Sequence, residues 1–202
     1  MTETKKESSE IEDTMGKQRM RRVLLTSVPV MILGAIGVFY FLLISGFTGT
    51  LDDTQLGFNA ETIKSHFSLM DTESMSLFVL GNLVDYLFMI GYGALFYSCA
   101  RVLSWNYRTG SIQKKIGSAF AWIGIVAAIC DGIENVFLLS MTVDPTGFAR
   151  WLAIAHSSFA LAKFTLMNLS IVWVMGAFIL NRTPLASRLM NTTTITHLDK
   201  GY

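Results

Sequence analysis

Residues 23–47 read VLLTSVPVMILGAIGVFYFLLISGF and contain no charged side chain. A membrane-crossing helix needs about 20 predominantly apolar residues, so this stretch is long enough to span the hydrocarbon core. A cleaved signal peptide would have a shorter apolar region with a small-residue cleavage site close behind it. Here a long polar leader and a basic cluster precede the stretch: Lys17, Arg19, Arg21 and Arg22. We therefore predict a retained transmembrane helix.

Three further apolar stretches follow, at about residues 77–100, 116–141 and 151–180. The 202-residue chain is 51% hydrophobic and 15% charged, whereas a soluble domain carries about 25% charged residues. The sequence predicts an all-α polytopic membrane protein, with a four-helix transmembrane bundle over residues 23–182. The polar segments 1–22 and 183–202 are predicted tails. We expect the first to be disordered, because it has too few apolar side chains to offset the entropy of ordering.

The segment between the first two spans contains a predicted amphipathic helix, from Asn59 to Met70. Asn59 is a suitable N-cap, and Ile63, Phe67 and Met70 recur at helical spacing on one face. We expect this helix in the first outer loop, on the bundle surface or at the membrane interface.

Lysine and arginine are concentrated in the loop between spans two and three and in the flank after span four. The two opposite loops hold only Lys64 and Arg150. Because basic loops stay on the cytoplasmic side, both termini are predicted to be cytoplasmic. The basic residues are divided among separate segments rather than gathered on one face, so we predict the lipid bilayer, and no nucleic acid, as a partner.

The candidate functional residues lie inside the spans. An ionisable side chain at the centre of a membrane helix costs a few kcal/mol, so such residues face the bundle interior and find partners there. From the rise of 1.5 Å per residue, five of them lie roughly 8 to 18 Å below the outer helix ends, and this places the five in one layer. They are Asp85, Asp131, Glu134, His156 and Lys163. We predict a single ligand or proton site formed by Asp85, Tyr92, Asp131, Glu134, Asn135, His156 and Lys163.

The charges of this predicted site do not balance, because three carboxylates oppose one lysine and one histidine. We expect Lys163 to pair with one carboxylate. The surplus leaves three alternatives open: a protonated carboxyl group, a charged His156, or a bound cation. Tyr40 lies at a similar depth and could add a hydroxyl. Cys99 and Cys130 are interpreted as small apolar side chains.

No residue is assigned to a cofactor, and metal binding stays open. The pattern lacks the additional Glu or His that a di-metal site in a helix bundle requires.

The chain resembles a broad group of uncharacterised, mostly prokaryotic four-span membrane proteins. The resemblance rests on the amphipathic segment before span two, on Asp85 with Tyr92-Gly93, on the stretch Asp131-Gly-Ile-Glu134-Asn135, and on Lys163. It covers about three-quarters of the chain and excludes both tails. It implies that the ionisable set is a feature of the group, and it transfers no activity.

Three hypotheses follow from the sequence. The first is a membrane protein that binds or relays a small cationic or polar species, including protons; conduction of anything larger would need a homo-oligomer. The second is a membrane enzyme acting on a lipid or isoprenoid, with His156 or Glu134 as general acid/base. The third is a structural or assembly subunit in which the polar cluster fixes the helix register.

Overall fold

The computed structural model describes residues 3–107 and 110–182. Four of its six helices are long and apolar enough to cross a membrane, and this confirms the predicted all-α four-helix membrane fold. The predicted tail at 183–202 lies outside the described residues. The helices are α1 (Glu3–Ile44), α2 (Leu51–Thr54), α3 (Ala60–Ser68), α4 (Thr72–Ser104), α5 (Ile112–Thr142) and α6 (Arg150–Arg182).

The first helix is longer than its apolar stretch. α1 begins at Glu3, whereas the sequence predicted disorder over residues 1–22. Extending a helix adds a hydrogen bond per residue without a new nucleation step, so an anchored apolar helix favours a helical leader. The leader is also rich in glutamate and lysine, which are good helix formers. At the other end, α1 stops at Ile44, just before Gly46 with its positive φ of 65°.

The predicted amphipathic helix is present as α3. Its N-cap is Asn59, whose side chain accepts a hydrogen bond from the Glu61 backbone N–H at 3.0 Å. Such a cap contributes about 1 kcal/mol to helix stability. Ile63 and Phe67 are buried, while Met70 is half-buried. The apolar face of α3 therefore packs against the protein, as its spacing predicted.

α3 covers one end of the helix bundle. Ile63 and Phe67 belong to a buried apolar cluster with side chains from α4, α5, α6 and the loop before α6. The polar segment between α1 and α4 is thereby fixed over the bundle. The other members of the cluster are Ala60, Phe78, Leu138, Met141, Phe148 and Ala153.

The long helices pack in the order α1, α4, α5, α6, and α4 also contacts α6. α1 and α4 approach closely, because a Cβ added at Gly91 would lie 2.5 Å from the Met31 backbone, and one added at Gly34 would collide with the Phe88 backbone. Small residues permit such close contacts between membrane helices. Within residues 3–107 and 110–182, α1 has no comparable interface with α5 or α6. This one-sided packing leaves space between α1 and α6.

Candidate functional site

The predicted site residues lie at matching depths in antiparallel helices. Asp85 and Lys163 are each 13 residues from the start of α4 and α6, which is roughly 20 Å along the helix axis. Asp131 and Glu134 are roughly 17 and 12 Å from the end of α5. All four therefore lie in one layer, between the middle of the bundle and the end that α3 covers.

Lys163 is the centre of the buried ion pairs. Its Nζ lies 2.7 Å from Asp131 Oδ1 and 2.6 Å from Glu134 Oε2. Both carboxylates project from one face of α5, because they are three residues apart. The lysine is only 5% exposed and Glu134 is fully buried. The sequence predicted one carboxylate partner for this lysine, whereas the structure shows two.

Tyr92 extends this network from α4. Its hydroxyl donates a hydrogen bond to Asp131 Oδ2 at 3.0 Å, so each oxygen of that carboxylate has a donor. The tyrosine is 1% exposed and is enclosed by the Phe88 and Phe96 rings. Asp131, Glu134, Lys163 and Tyr92 form a closed group, which we call the ion-pair network.

Asp85 lies outside the ion-pair network. Its Oδ2 accepts a hydrogen bond from Asn135 Nδ2 at 2.7 Å, and its side chain is half-buried. Within the described part of the chain, Asp85 has no salt-bridge partner. Asn135 is one residue beyond Glu134 on α5, so its hydrogen bond brings Asp85 next to the part of α5 that carries Glu134. Among the carboxylates of the site, Asp85 is the accessible one.

His156 packs behind the network and is fully buried. Its Nδ1 lies 3.3 Å from the Glu134 carbonyl oxygen and 3.8 Å from Glu134 Oε1. A carbonyl oxygen only accepts, so this hydrogen bond requires the proton on Nδ1 and leaves a lone pair on Nε2 of the neutral ring. Nε2 makes no hydrogen bond within the described residues, although the Thr54 backbone lies beside the ring.

A cavity of about 360 Å³ adjoins Asp85. Asp85, Asn135, His156 and Lys163 contribute to its polar wall. Most of the remaining wall is apolar and comes from every long helix and from the segment between α1 and α4. Its apolar members include Ala35, Val38, Phe39, Leu42, Phe88, Phe164 and Met167. A largely apolar cavity with a few polar groups is typical of small-molecule sites.

The cavity has residues that sequence reasoning missed. Asn82 and Gln55 both line it, and the Gln55 Oε1 atom is buried without a hydrogen-bond donor in the described part of the chain. Asn82 could have been found, because it lies three residues before Asp85 on the same helix face. Gln55 follows α2 in a polar segment that has no periodic pattern to mark it.

Other predicted contributors lie elsewhere. Tyr40 is 57% exposed and packs edge-to-face on Phe41, so it adds no hydroxyl to the site. Cys99 and Cys130 are free and half-buried. Among the residues that the structure describes, no group of three or more His, Cys, Asp or Glu side chains has a geometry that could hold a metal ion.

The chain matches no model of a known protein family, no curated protein and no solved structure. The four helices and the buried Asp/Glu/His/Lys cluster fit an integral membrane protein.

Proposed function

We propose that the chain binds a small cation inside the membrane, with Asp85 as the acidic acceptor. The observation that supports this is the division of the carboxylates. Lys163 pairs with Asp131 and Glu134, while Asp85 faces the cavity and forms no salt bridge with any residue that the structure describes. A carboxylate away from bulk water is stabilised by a counter-charge. A cation in the cavity would supply it.

The ion-pair network has a positioning role in this proposal. Lys163 holds Asp131 and Glu134 on α5, and this fixes the helix face from which Asn135 reaches Asp85. Because Asn135 is neutral, it orients the Asp85 carboxylate without neutralising it. A proton is the smallest cation that fits the same scheme, so proton relay belongs to this proposal.

The orientation is also proposed. Basic residues flank the bundle at the end opposite α3: Arg101 near the end of α4, Lys114 and Lys115 near the start of α5, and Arg182 at the end of α6. We place that end and both termini in the cytoplasm. In a background without Cys99 and Cys130, a cysteine at position 64 should react with a membrane-impermeant maleimide added to intact cells, and one at position 112 should not. The reverse labelling would invert the orientation.

Cation binding is tested by thermal unfolding in lipid nanodiscs. The unfolding midpoint in ethylammonium chloride is compared with the midpoint in sodium chloride at equal ionic strength. A ligand at ten times its dissociation constant stabilises by about 1.4 kcal/mol, which raises the midpoint by about 3 to 6 °C for a chain of this size. We expect this shift in the native chain and in the control Asp52→Asn, which removes an exposed carboxylate. An equal shift in Asp85→Asn would refute the proposal.

A second candidate function is a membrane enzyme acting on a lipid or isoprenoid. One observation favours it: His156 forms part of a cavity wall that also includes α1 and α6 residues. His156 would act as the general acid/base. Lipid extracts of expressing cells should then differ from those of cells with His156→Gln, by mass spectrometry. Identical extracts would remove this candidate.

A further inference from the structure

The polar end of the cavity offers acceptors rather than donors. Asp85 presents a carboxylate, and Gln55 has a buried Oε1 that accepts no hydrogen bond from the residues that the structure describes. Lys163 contributes an ammonium to this wall, but two carboxylates hold it. A ligand that matches this wall donates several hydrogen bonds and carries positive charge. A primary ammonium group has three donors and no acceptor.

The remaining wall requires an apolar partner. Phe88 of α4 and Phe164 and Met167 of α6 border the same space as Asp85. A hydrated inorganic cation would leave these surfaces facing water, whereas an alkyl group would remove them from water. Each Å² of apolar surface removed from water stabilises the complex by about 25 cal/mol. The cavity of about 360 Å³ accommodates about twelve non-hydrogen atoms, if each takes the ~30 Å³ of a liquid water molecule. Octylamine has fewer non-hydrogen atoms than this limit and therefore fits the volume.

The cavity opens sideways toward the lipid. Phe39 and Leu42 line it, yet they are 72% and 36% exposed, so they lie at its mouth. On the opposite side, the wall belongs to α6, with which α1 has no extensive interface in the described part of the chain. Phe39 is five residues from the end of α1, or roughly 8 Å along the axis. The mouth therefore lies at the depth of the acyl chains of one leaflet.

We infer that the ligand is an amphiphilic primary amine with an alkyl part of at most about eleven carbons, a limit set by the cavity volume. It enters from the leaflet next to α3 through the gap between α1 and α6. Its ammonium group binds Asp85, and its alkyl part lies between Phe88, Phe164 and Met167. This inference rests on the proposed function, because it names the class of cation that Asp85 binds.

The experiment uses an octylamine that carries a photoreactive diazirine in its chain, added to the full chain in lipid nanodiscs. Mass spectrometry of digested protein locates the labelled residues. We expect labelling at Phe88, Phe164 or Met167, displaced by octylamine at a concentration at least tenfold below that of ethylamine. Asp85→Asn should reduce labelling at least tenfold, because it removes a charged hydrogen-bond acceptor, and Asp52→Asn should not.

The route is tested by two matched substitutions on α1. Ala35→Phe places a ring in the cavity, whereas Leu33→Phe places one on a surface where Leu33 is 62% exposed. Both variants leave partition of the probe into lipid unchanged. We expect at least a tenfold loss of labelling with Ala35→Phe and none with Leu33→Phe. Equal labelling of the two variants would overturn entry between α1 and α6.

Competition separates the two proposals in the native chain, without any variant. If ethylamine displaces the probe as well as octylamine does, the alkyl requirement is wrong and cation binding survives. If octanol displaces it as well as octylamine does, the cavity binds apolar chains without regard to charge, and both proposals fail. Labelling that no amine displaces would also overturn both.

Discussion

Replacing Lys163 by methionine should strongly destabilise the protein. The substitution keeps an unbranched side chain of similar size but removes the ammonium that lies 2.7 and 2.6 Å from Asp131 and Glu134. Two buried carboxylates then lose their counter-charge. Breaking a buried ion pair from one side costs about 3 to 5 kcal/mol. For a chain of this size, that corresponds to a fall in the unfolding midpoint of roughly 6 to 20 °C.

The assay is thermal unfolding in one detergent, followed by circular dichroism and by the monodisperse peak in size-exclusion chromatography. Lys64→Met is the matched control, because Lys64 pairs with Glu61 at 3.2 Å and the glutamate side chain is 80% exposed. An exposed pair contributes about 1 kcal/mol at most, so the control should stay within about 4 °C of the native chain. If Lys163→Met is as stable as Lys64→Met, the ion-pair network contributes no net stability and the reasoning fails.

A neutral triple variant isolates the role of charge. Lys163→Met combined with Asp131→Asn and Glu134→Gln removes the cation and both anions while nearly preserving side-chain shape. Because the cost of the single variant comes from uncompensated charge, we expect the triple variant to recover at least half of the lost stability. A triple variant less stable than Lys163→Met would show that the uncompensated carboxylates are not what destabilises the single variant.

Three further predictions concern the helices that surround the site. Gly91→Val should cost about 1 to 3 kcal/mol in thermal unfolding, because a Cβ there lies 2.5 Å from the Met31 backbone; unchanged stability would mean that α1 and α4 are less closely packed. Phe67→Ala should cost about 3 to 5 kcal/mol, since the ring is 2% exposed, and it should also speed proteolysis within α3. The Ser74 backbone N–H holds the pKa of the Asp71 carboxyl below its ordinary value of 3.8. The contribution of Asp71 to folding stability is therefore complete above pH 3.8, the unfolded-state pKa, and is lost as the pH falls through the lower pKa of the folded state. The Asp71→Asn variant should therefore show less acid destabilisation than the native chain in unfolding scans between about pH 5 and 2, and equal profiles would contradict this.

The fold was predictable because membrane helices are marked by composition. Predominantly apolar stretches of sufficient length marked the four spans, and Asn59 marked the beginning of α3 because its short polar side chain caps the helix. The helical leader before residue 23 was not predicted, because a polar composition carries little information about a segment attached to a stable helix.

The buried polar cluster was predictable as a set of residues, but not in its contacts. Spacing along α5 placed Asp131, Glu134 and Asn135 on one face, and the structure brings them to α4 and α6. Which carboxylate Lys163 reaches depends on the rotation and separation of the helices. The cavity could not be predicted from the sequence either. Residues 23–47 are apolar on all sides, and such a helix shows no preferred face toward a neighbour.

The division between Asp85 and the ion-pair network predicts that stability and binding respond to different residues. Asp131 and Glu134 share the Lys163 ammonium, so substituting any of these three should mainly change the unfolding midpoint. Asp85 has the neutral Asn135 as its partner, so Asp85→Asn replaces a hydrogen bond to a carboxylate by one to a neutral amide and relieves unbalanced negative charge. In the absence of amine we therefore expect Asp85→Asn to be at least as stable as the native chain, while its midpoint no longer responds to alkylamines. A loss as large as that of Lys163→Met would place Asp85 within the ion-pair network and leave no carboxylate available to bind a cation.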